Sequence, residues 1–186
     1  MTNTTVVNGV NTTALSDTIE AVRAKRELGE VTFKVNGEWR GGFQLESATG
    51  DLVQAGEADT RRAGKFRMSS DEPQALLGGD TAVSPGEYLL QALAGCYTVT
   101  MAANAASRGI ELSSYRLELE ADFDLSGFLG IDKDQEPGAL EVRVQVELDA
   151  PGSTREELED LVAIVEAFSP IRDTLTRSVN VRTWLA

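Results

Sequence analysis

The chain has 186 residues, a length typical of one domain, and its 17 basic and 30 acidic residues give a formal net charge of −13. A surface this acidic repels phosphate backbones, so we expect no nucleic-acid partner. The chain has one Cys and no His, which excludes an intrachain disulfide, the usual zinc sites and the Ser-His-Asp and Cys-His catalytic arrangements.

The sequence also bears on location and cofactors. No apolar run approaches the roughly 20 residues that a membrane span needs. The N-terminus lacks the basic and apolar parts of a secretory signal, and a free thiol is typical of the cytoplasm. We therefore expect a cytoplasmic protein without a membrane partner. Since no Gly-rich phosphate loop is present either, we expect no cofactor and no metal.

The N-terminal part is predicted to contain an arm and a short helix. Residues 1–16, rich in Asn and Thr, are expected to form a flexible N-terminal arm ahead of a single domain over 17–186. A helix is predicted from Asp17, which can cap it, to Leu28, and Gly29 ends it.

A hairpin is predicted next. Val31–Val35 and Glu38–Glu46 flank Asn36-Gly37, a pair that accepts the positive φ angles of a two-residue turn. Gly41-Gly42 within the second strand indicates a bulge or a close backbone approach. Further strands are predicted at Leu52–Ala58 and Lys65–Ser69, before a loop over Asp71–Ser84.

A long apolar helix dominates the middle of the chain. Ser84-Pro85-Gly86-Glu87 is a capping box with Pro at the first helical position. The run Tyr88–Ser107 that follows is apolar almost all round, which predicts burial on several sides. Cys96 lies near its centre, and Arg108-Gly109 ends the helix.

The second half is predicted to contain two successive strands, then helices, then a last strand. Strands with one apolar and one acidic face are predicted at 115–123 and 140–148, joined by a long connection. Ser153 or Thr154 is predicted to begin another helix, with Glu156 or Glu157 completing a capping box. This helix breaks at Ser169-Pro170. A short segment then leads to a final strand, Val179–Leu185. Strands in runs favour the α+β class over a doubly wound sheet.

Two segments carry a resemblance to a known family. They are Pro85–Cys96, PGEYLLQALAGC, with Arg108-Gly109-Ile110 after it, and Phe168–Leu175, FSPIRDTL. In residue type and spacing they resemble the OsmC/Ohr family, over about Val31–Leu185. The resemblance implies antiparallel sheets wrapped around central helices in an intertwined homodimer, with active sites at the dimer interface. The better known branches are thiol-dependent peroxidases that reduce organic hydroperoxides.

The resemblance also implies roles for particular residues. In those peroxidases a first Cys attacks the peroxide, a second Cys closes a disulfide, and an Arg and a Glu activate the first thiol. Cys96 matches the first Cys, whereas the position of the second is occupied by Ser169. The carboxylate is expected directly after the proline, at Gly86, and Glu87 lies one position later. Arg40 is the candidate Arg. Three other arginines compete with it: Arg61, Arg62 and Arg67.

Each candidate has an alternative interpretation. Cys96 could be an inert core thiol, because buried Cys packs as a small hydrophobe. The capping box explains Glu87 by itself, and nine residues along a straight helix place it about 13 Å from Cys96 and nearly on the opposite face. A role for Glu87 therefore points to the partner chain's thiol. Ser169 could cap a helix before Pro170, and it could also hydrogen-bond a thiolate.

Two functional hypotheses remain open. In the first, a one-Cys peroxidase reduces a small organic hydroperoxide through Cys96 and is restored by an external thiol reductant. In the second, a non-enzymatic protein of the same fold binds a small apolar ligand at the dimer interface. The missing second Cys is the main observation against efficient turnover. Phe123, Phe128 and Leu129 are candidates to line an apolar pocket.

Overall fold

The structure, a computed structural model, describes residues 5–185. The chain divides into two compact units. One comprises the described parts of Met1–Thr12 and Leu89–Ala186, and the other comprises Thr13–Tyr88. The sequence predicts one domain over 17–186, so this division is finer than the prediction. Helices and antiparallel sheets occur in both units, which confirms the α+β class.

The chain begins with a small hairpin. Strands β1, Val6–Val7, and β2, Val10–Asn11, are joined by Asn8 and Gly9, whose φ angles of +52° and +76° suit a two-residue primed turn. The Asn8 amide donates to the Ile110 carbonyl at 2.8 Å and accepts from the Leu112 N–H at 2.9 Å. Residues 5–16 of the predicted arm therefore have regular structure, and residues 1–4 lie outside the described residues.

The first helix begins earlier than predicted. Helix α1 spans Thr12–Ala24, whereas the sequence predicts Asp17–Leu28. The hairpin leads into it without a loop, and both the amide and the hydroxyl of Thr12 donate to the Thr5 carbonyl at 3.0 Å. These two bonds fix the start of the helix. A short 3-10 helix, Arg26–Gly29, follows α1.

The second unit contains two three-stranded antiparallel sheets. In the first sheet the order is β3, Val31–Thr32, then β6, Leu52–Gln54, then β7, Glu57–Asp59. In the second sheet the order is β4, Val35–Gly41, then β5, Gln44–Thr49, then β8, Arg67–Ser70. The predicted strand over Leu52–Ala58 is thus a hairpin, β6 and β7, turning at Ala55-Gly56.

The predicted Asn36-Gly37 turn is wrong. Both residues lie inside β4, where they pair with Ala48 and Ser47 of β5. The chain turns instead at Gly42-Phe43, between the paired residues Gly41 and Gln44, and the φ angles of Gly41 and Gly42 are +114° and +54°. The strand register also shifts between Trp39 and Gly41, so an irregularity of the kind that the sequence predicts lies next to this turn. Two successive glycines reach positive φ at lower cost than Asn-Gly. Gly37 has a different role: a Cβ there would lie 3.1 Å from a methyl carbon of Leu45, so the absence of a side chain makes room for Leu45.

One face of the β4–β5 hairpin is apolar and uncovered in the single chain. Val35, Trp39 and Leu45 share this face, and their exposed fractions are 60%, 71% and 40%. The alternating residues Asn36 and Glu38 lie on the opposite, polar face. We call the surface of Val35, Trp39 and Leu45 the apolar hairpin face.

The first unit contains the longest elements. Helix α2, Pro85–Ser107, begins in the second unit and continues into this one. The other elements are β9, Ser114–Phe123, α3, Leu125–Phe128, β10, Ala139–Asp149, α4, Arg155–Phe168, and α5, Pro170–Thr176. The two long strands that the sequence predicts are formed, and they pair antiparallel with Leu117 opposite Val146. The predicted capping box of α4 is present, between Thr154 and Glu157.

The core of the first unit lies between α2 and α4. Its buried members are Leu93, Tyr97, Met101, Ala105, Leu161 and Val165. Partly buried side chains of β9 and β10 pack against this cluster. In the single chain α2 is buried along one face rather than on several sides, and Val99 is 71% exposed.

The predicted final strand is not formed. Residues 178–185 have no regular secondary structure, and Val181, Trp184 and Leu185 are 84%, 79% and 98% exposed. A strand requires a hydrogen-bonded neighbour. Val179–Leu185 pairs with no other strand within the described ranges, although its composition suits one.

A buried carboxylate organises the loop that precedes α2. Asp71 is 1% exposed, and it accepts hydrogen bonds from the Thr81 hydroxyl at 2.7 Å, the Glu72 N–H at 2.9 Å and the Gln44 amide at 3.4 Å. The Thr81 hydroxyl is the main reason that the pKa of Asp71 falls to about 2. The loop brings the Gly78 backbone close to Glu72, and only glycine fits there because a Cβ would lie 1.8 Å from the Glu72 carbonyl oxygen.

Replacing Asp71 with Asn is expected to lower the melting temperature by several degrees at pH 7. The folded-state pKa is depressed, so ionised Asp71 stabilises the protein above its ordinary pKa of 3.8, and this contribution is lost as the pH falls toward about 2. Thermal unfolding at several pH values should show the gap between Asp71→Asn and wild type narrowing from pH 4 to pH 2. Asp160→Asn, on the exposed side of α4, is the matched control. An equal effect of both substitutions would contradict the assignment.

Candidate functional site

The lone thiol lies where two distant segments meet. Cys96 is half-buried near the middle of α2, and its Sγ accepts hydrogen bonds from the Ser169 hydroxyl at 3.1 Å and the Ile171 N–H at 3.4 Å. The structure therefore brings together Cys96 and Ser169, the two positions that the resemblance relates to a pair of cysteines. The Ser169 hydroxyl thus donates to this sulfur, and its hydrogen bond to a thiolate stays a prediction.

Ser169 is held in place by the corner between α4 and α5. Its N–H donates to the Val165 carbonyl at 3.0 Å, which ends α4, and its Oγ accepts from the Arg172 N–H at 3.4 Å, which caps α5. Pro170 occupies the first position of α5, as predicted. The side chain is 1% exposed, and its hydroxyl both accepts, from Arg172, and donates, to Cys96.

This arrangement limits the chemistry of the sulfur. Both groups that contact Sγ are hydrogen-bond donors. A thiolate sulfur, or the oxygen of a sulfenate, can therefore accept the same two hydrogen bonds. Ser169 cannot form a disulfide. Within residues 5–185, no group of three or more His, Cys, Asp or Glu side chains is placed to hold a metal ion.

Tyr97 follows Cys96 in the chain and has an arginine nearby. Tyr97 is 4% exposed; burial raises the pKa of its phenol, and the charge of the Arg172 guanidinium opposes that rise. The Arg172 guanidinium also donates to the Glu166 carbonyl at 3.2 Å. The sequence analysis missed Arg172. The sequence feature that could have identified it is its position three residues after Ser169, in the first turn of α5.

A second tyrosine lies beside Tyr97. The Tyr115 hydroxyl is buried and has no hydrogen-bond partner in the part of the chain that the structure describes. Burial raises its pKa to about 12, and Tyr97 adds to the rise. Tyr115 packs against the core cluster, so the interior next to the site contains two phenols.

Glu87 forms the cap that the sequence predicts. Its carboxylate accepts from the Ser84 N–H at 2.8 Å, and its own N–H donates to the Ser84 hydroxyl at 3.2 Å. The bond from the Ser84 N–H is the largest cause of the lowered pKa of Glu87. The structural role of Glu87 is therefore confirmed, and its catalytic role stays a prediction.

The candidate arginines of the second unit have local partners. Arg40 contacts Glu46 at 2.8 Å and Glu38 at 2.9 Å, and Arg61 contacts Asp59 at 2.7 Å. Arg62 lies over the Phe66 ring, and Arg67 is the first residue of β8. Their proposed relation to a thiol stays a prediction. The apolar candidates Phe123, Phe128 and Leu129 are 48%, 71% and 60% exposed.

The fold and the site together define a class: an α+β protein whose lone thiol lies on a long helix and is hydrogen-bonded by a serine at a helix–helix corner. The model of the OsmC-like protein family matches residues 78–183, and the chain belongs to this family. A comparison with curated proteins finds no match. Among residues 5–185, no helix is long and apolar enough to cross a membrane.

Solved structures share the fold at low sequence identity. An OsmC-like protein from Mycoplasma pneumoniae is 15% identical, covers 78% of this chain and 87% of its own, and has a TM-score of 0.59. An organic hydroperoxide resistance protein OsmC from Legionella pneumophila is 19% identical, with coverages of 77% and 88% and a TM-score of 0.55. An organic hydroperoxide resistance protein from Elizabethkingia anophelis is 17% identical, with coverages of 76% and 86% and a TM-score of 0.53.

Proposed function

We propose that the protein is a one-Cys, thiol-dependent peroxidase that reduces small organic hydroperoxides through Cys96. The observation that supports this proposal is the contact of Cys96 Sγ with two donors, the Ser169 hydroxyl at 3.1 Å and the Ile171 N–H at 3.4 Å. The description of two structural relatives as organic hydroperoxide resistance proteins supports the substrate class.

The proposed reaction has two stages. The Cys96 sulfur attacks the terminal oxygen of the hydroperoxide, the O–O bond breaks, and the alcohol leaves with the proton of the thiol. Cys96 becomes a sulfenic acid, whose oxygen takes the hydrogen bonds from Ser169 and Ile171. An external thiol then displaces water to give a mixed disulfide, and a second external thiol releases the free Cys96.

The remaining parts of the site come from the family resemblance. Arg40 is the proposed partner of the thiolate, and Glu87 of the second copy is proposed to orient that Arg. Homodimer formation is supported by the apolar hairpin face, since Trp39 is 71% exposed in the single chain. We place the protein in the cytoplasm, where low-molecular-weight thiols keep a lone Cys reduced and supply the reductant.

The direct test is Cys96→Ser. We expect this variant to lose cumene hydroperoxide reduction in the presence of dithiothreitol, down to the rate without protein, because no other thiol is present. Wild type treated with one equivalent of hydroperoxide should give a dimedone adduct at Cys96, detected by mass spectrometry. Thr98→Ala, an exposed position on the same helix, should retain activity. Full activity of Cys96→Ser would refute the proposal.

A second candidate function rests on Ser169 in place of the second Cys. Here the protein is non-enzymatic and binds a small apolar ligand at the dimer interface. Cys96→Ala would then be nearly silent, and hydroperoxide would leave the thiol unmodified. An apolar ligand would instead raise the melting temperature by mass action.

A further inference from the structure

The most basic stretch of this acidic chain forms an ordered loop. Arg61–Arg67, with the sequence RRAGKFR, contains four of the 17 basic residues and no acidic residue, in a chain with a net charge of −13. We call it the basic loop. It joins a short 3-10 helix, Thr60–Arg62, to β8 in the second unit. Most of the surface elsewhere therefore has the opposite sign.

The backbone of the basic loop is fixed by Thr49 at the end of β5. The Thr49 hydroxyl donates to the Arg62 carbonyl at 2.6 Å, and the Thr49 N–H donates to the Phe66 carbonyl at 3.0 Å. In return, the Thr49 carbonyl accepts from the Gly64 N–H at 2.6 Å, where a φ of +68° suits glycine. The loop is thus preorganised, which lowers the entropy cost of binding.

The cations of the basic loop are unequally engaged. Asp59 accepts two hydrogen bonds from the Arg61 side chain, at 2.7 Å and 2.8 Å, and so neutralises it. Arg62, Lys65 and Arg67 form no ion pair with any described residue. No ion pair within the described residues thus neutralises these three charges, although the Arg62 charge also acts on Asp59.

Two of these charges lie close to one exposed aromatic ring. The Arg62 guanidinium and the Lys65 ammonium are each 5.2 Å from the centroid of the Phe66 ring, which is 47% exposed. Both cations interact with this one ring, which offsets part of their mutual repulsion. The surface thus combines unpaired positive charge with an apolar platform.

We propose that the basic loop is a docking surface for a short acidic segment of a partner protein. Charge complementarity selects an anion, and the size of the patch selects a short one. Electrostatic interactions in salt solution extend only about 8 Å, so a few carboxylates beside Arg62, Lys65 and Arg67 interact with these cations and little else. A membrane or a nucleic acid would extend over the acidic remainder of the surface and be repelled.

The test measures binding of a fluorescein-labelled octaglutamate peptide to the full chain by fluorescence anisotropy. We expect binding at about 50 mM salt that weakens steeply toward about 300 mM, since the contacts are ionic. Arg62→Glu combined with Lys65→Glu should weaken binding by about tenfold or more, because two attractions become repulsions. Circular dichroism should show that the double variant is folded.

The matched control is Lys25→Glu combined with Arg26→Glu, which changes net charge equally at two exposed neighbouring cations of the same unit. We expect its affinity for the peptide to stay within about twofold of wild type. An equal loss in both double variants would overturn the proposal, because only net charge would then matter. Absence of peptide binding at low salt, or binding to phosphatidylserine vesicles in preference to the peptide, would also overturn it.

Discussion

Ser169→Cys is expected to give the protein an internal disulfide with Cys96 after treatment with hydroperoxide. Ser169 Oγ lies 3.1 Å from Cys96 Sγ, and an S–S bond is about 2.0 Å long, so a sulfur at the position of Oγ needs a shift of only about 1 Å. The sulfenic acid formed at Cys96 would be attacked by the new thiol, with loss of water. Intact mass and thiol titration should show two free thiols before treatment and none after it.

The same variant tests whether the oxidised Cys96 of the wild type remains a sulfenic acid. With wild type, one equivalent of hydroperoxide should leave a sulfenic acid that dimedone traps, whereas Ser169→Cys should trap little because the disulfide forms first. Thr174→Cys, on an exposed position of α5, is the matched control and should keep the Cys96 sulfenic acid. If Ser169→Cys retains two free thiols after hydroperoxide treatment, Cys96 does not form a sulfenic acid under these conditions or the two side chains do not approach in solution.

The hairpins show how far local sequence signals reach. The chain contains two Asn-Gly pairs that suit primed turns, yet only Asn8-Gly9 forms such a turn. Asn36-Gly37 lies within β4 because the turn forms further along the chain, at Gly42-Phe43, where Gly41 and Gly42 both adopt positive φ. A local pattern gives each turn a preference, and competition between neighbouring candidates decides which is formed.

The longer elements were predictable because their patterns are long. Alternation over ten or so residues identifies β9 and β10, and capping boxes fix the starts of α2 and α4. The pattern of Val179–Leu185 predicts a final strand, but the pattern alone does not determine whether the strand forms. Apolar alternation shows that a segment suits a sheet, but the partner strand is a matter of tertiary or quaternary structure.

The site was predictable in part for a similar reason. Ser169 has a local signature, as a cap before Pro170, and the family resemblance relates it to Cys96. Arg172 has neither. Its contacts with Tyr97 and Glu166 depend on how α2, α4 and α5 pack, which the sequence pattern does not specify. The unpartnered Tyr115 hydroxyl likewise follows from packing alone.

Trp39→Glu is expected to convert the proposed homodimer to a monomer. Trp39 is the largest side chain of the apolar hairpin face, and in the single chain it is 71% exposed, with Val35 and Leu45 beside it. Burying one such side chain contributes about 1.5–3 kcal/mol, and a two-fold interface contains it twice. Adding a desolvated carboxylate should raise the dimer dissociation constant by about 100-fold or more. Sedimentation velocity over a range of protein concentrations measures this constant.

The control for this prediction lies on the same strand. Asn36→Glu adds the same charge on the opposite, polar face of β4 and should leave the dimer intact. Tryptophan fluorescence in a Trp184→Phe background adds an independent readout, because Trp39 is then the only Trp and its emission should shift to the blue as the dimer forms. A dimer that survives Trp39→Glu would show that another surface joins the two copies. A wild-type monomer with solvent-exposed Trp39 emission would remove the basis for placing Glu87 of one copy beside the Cys96 site of the other.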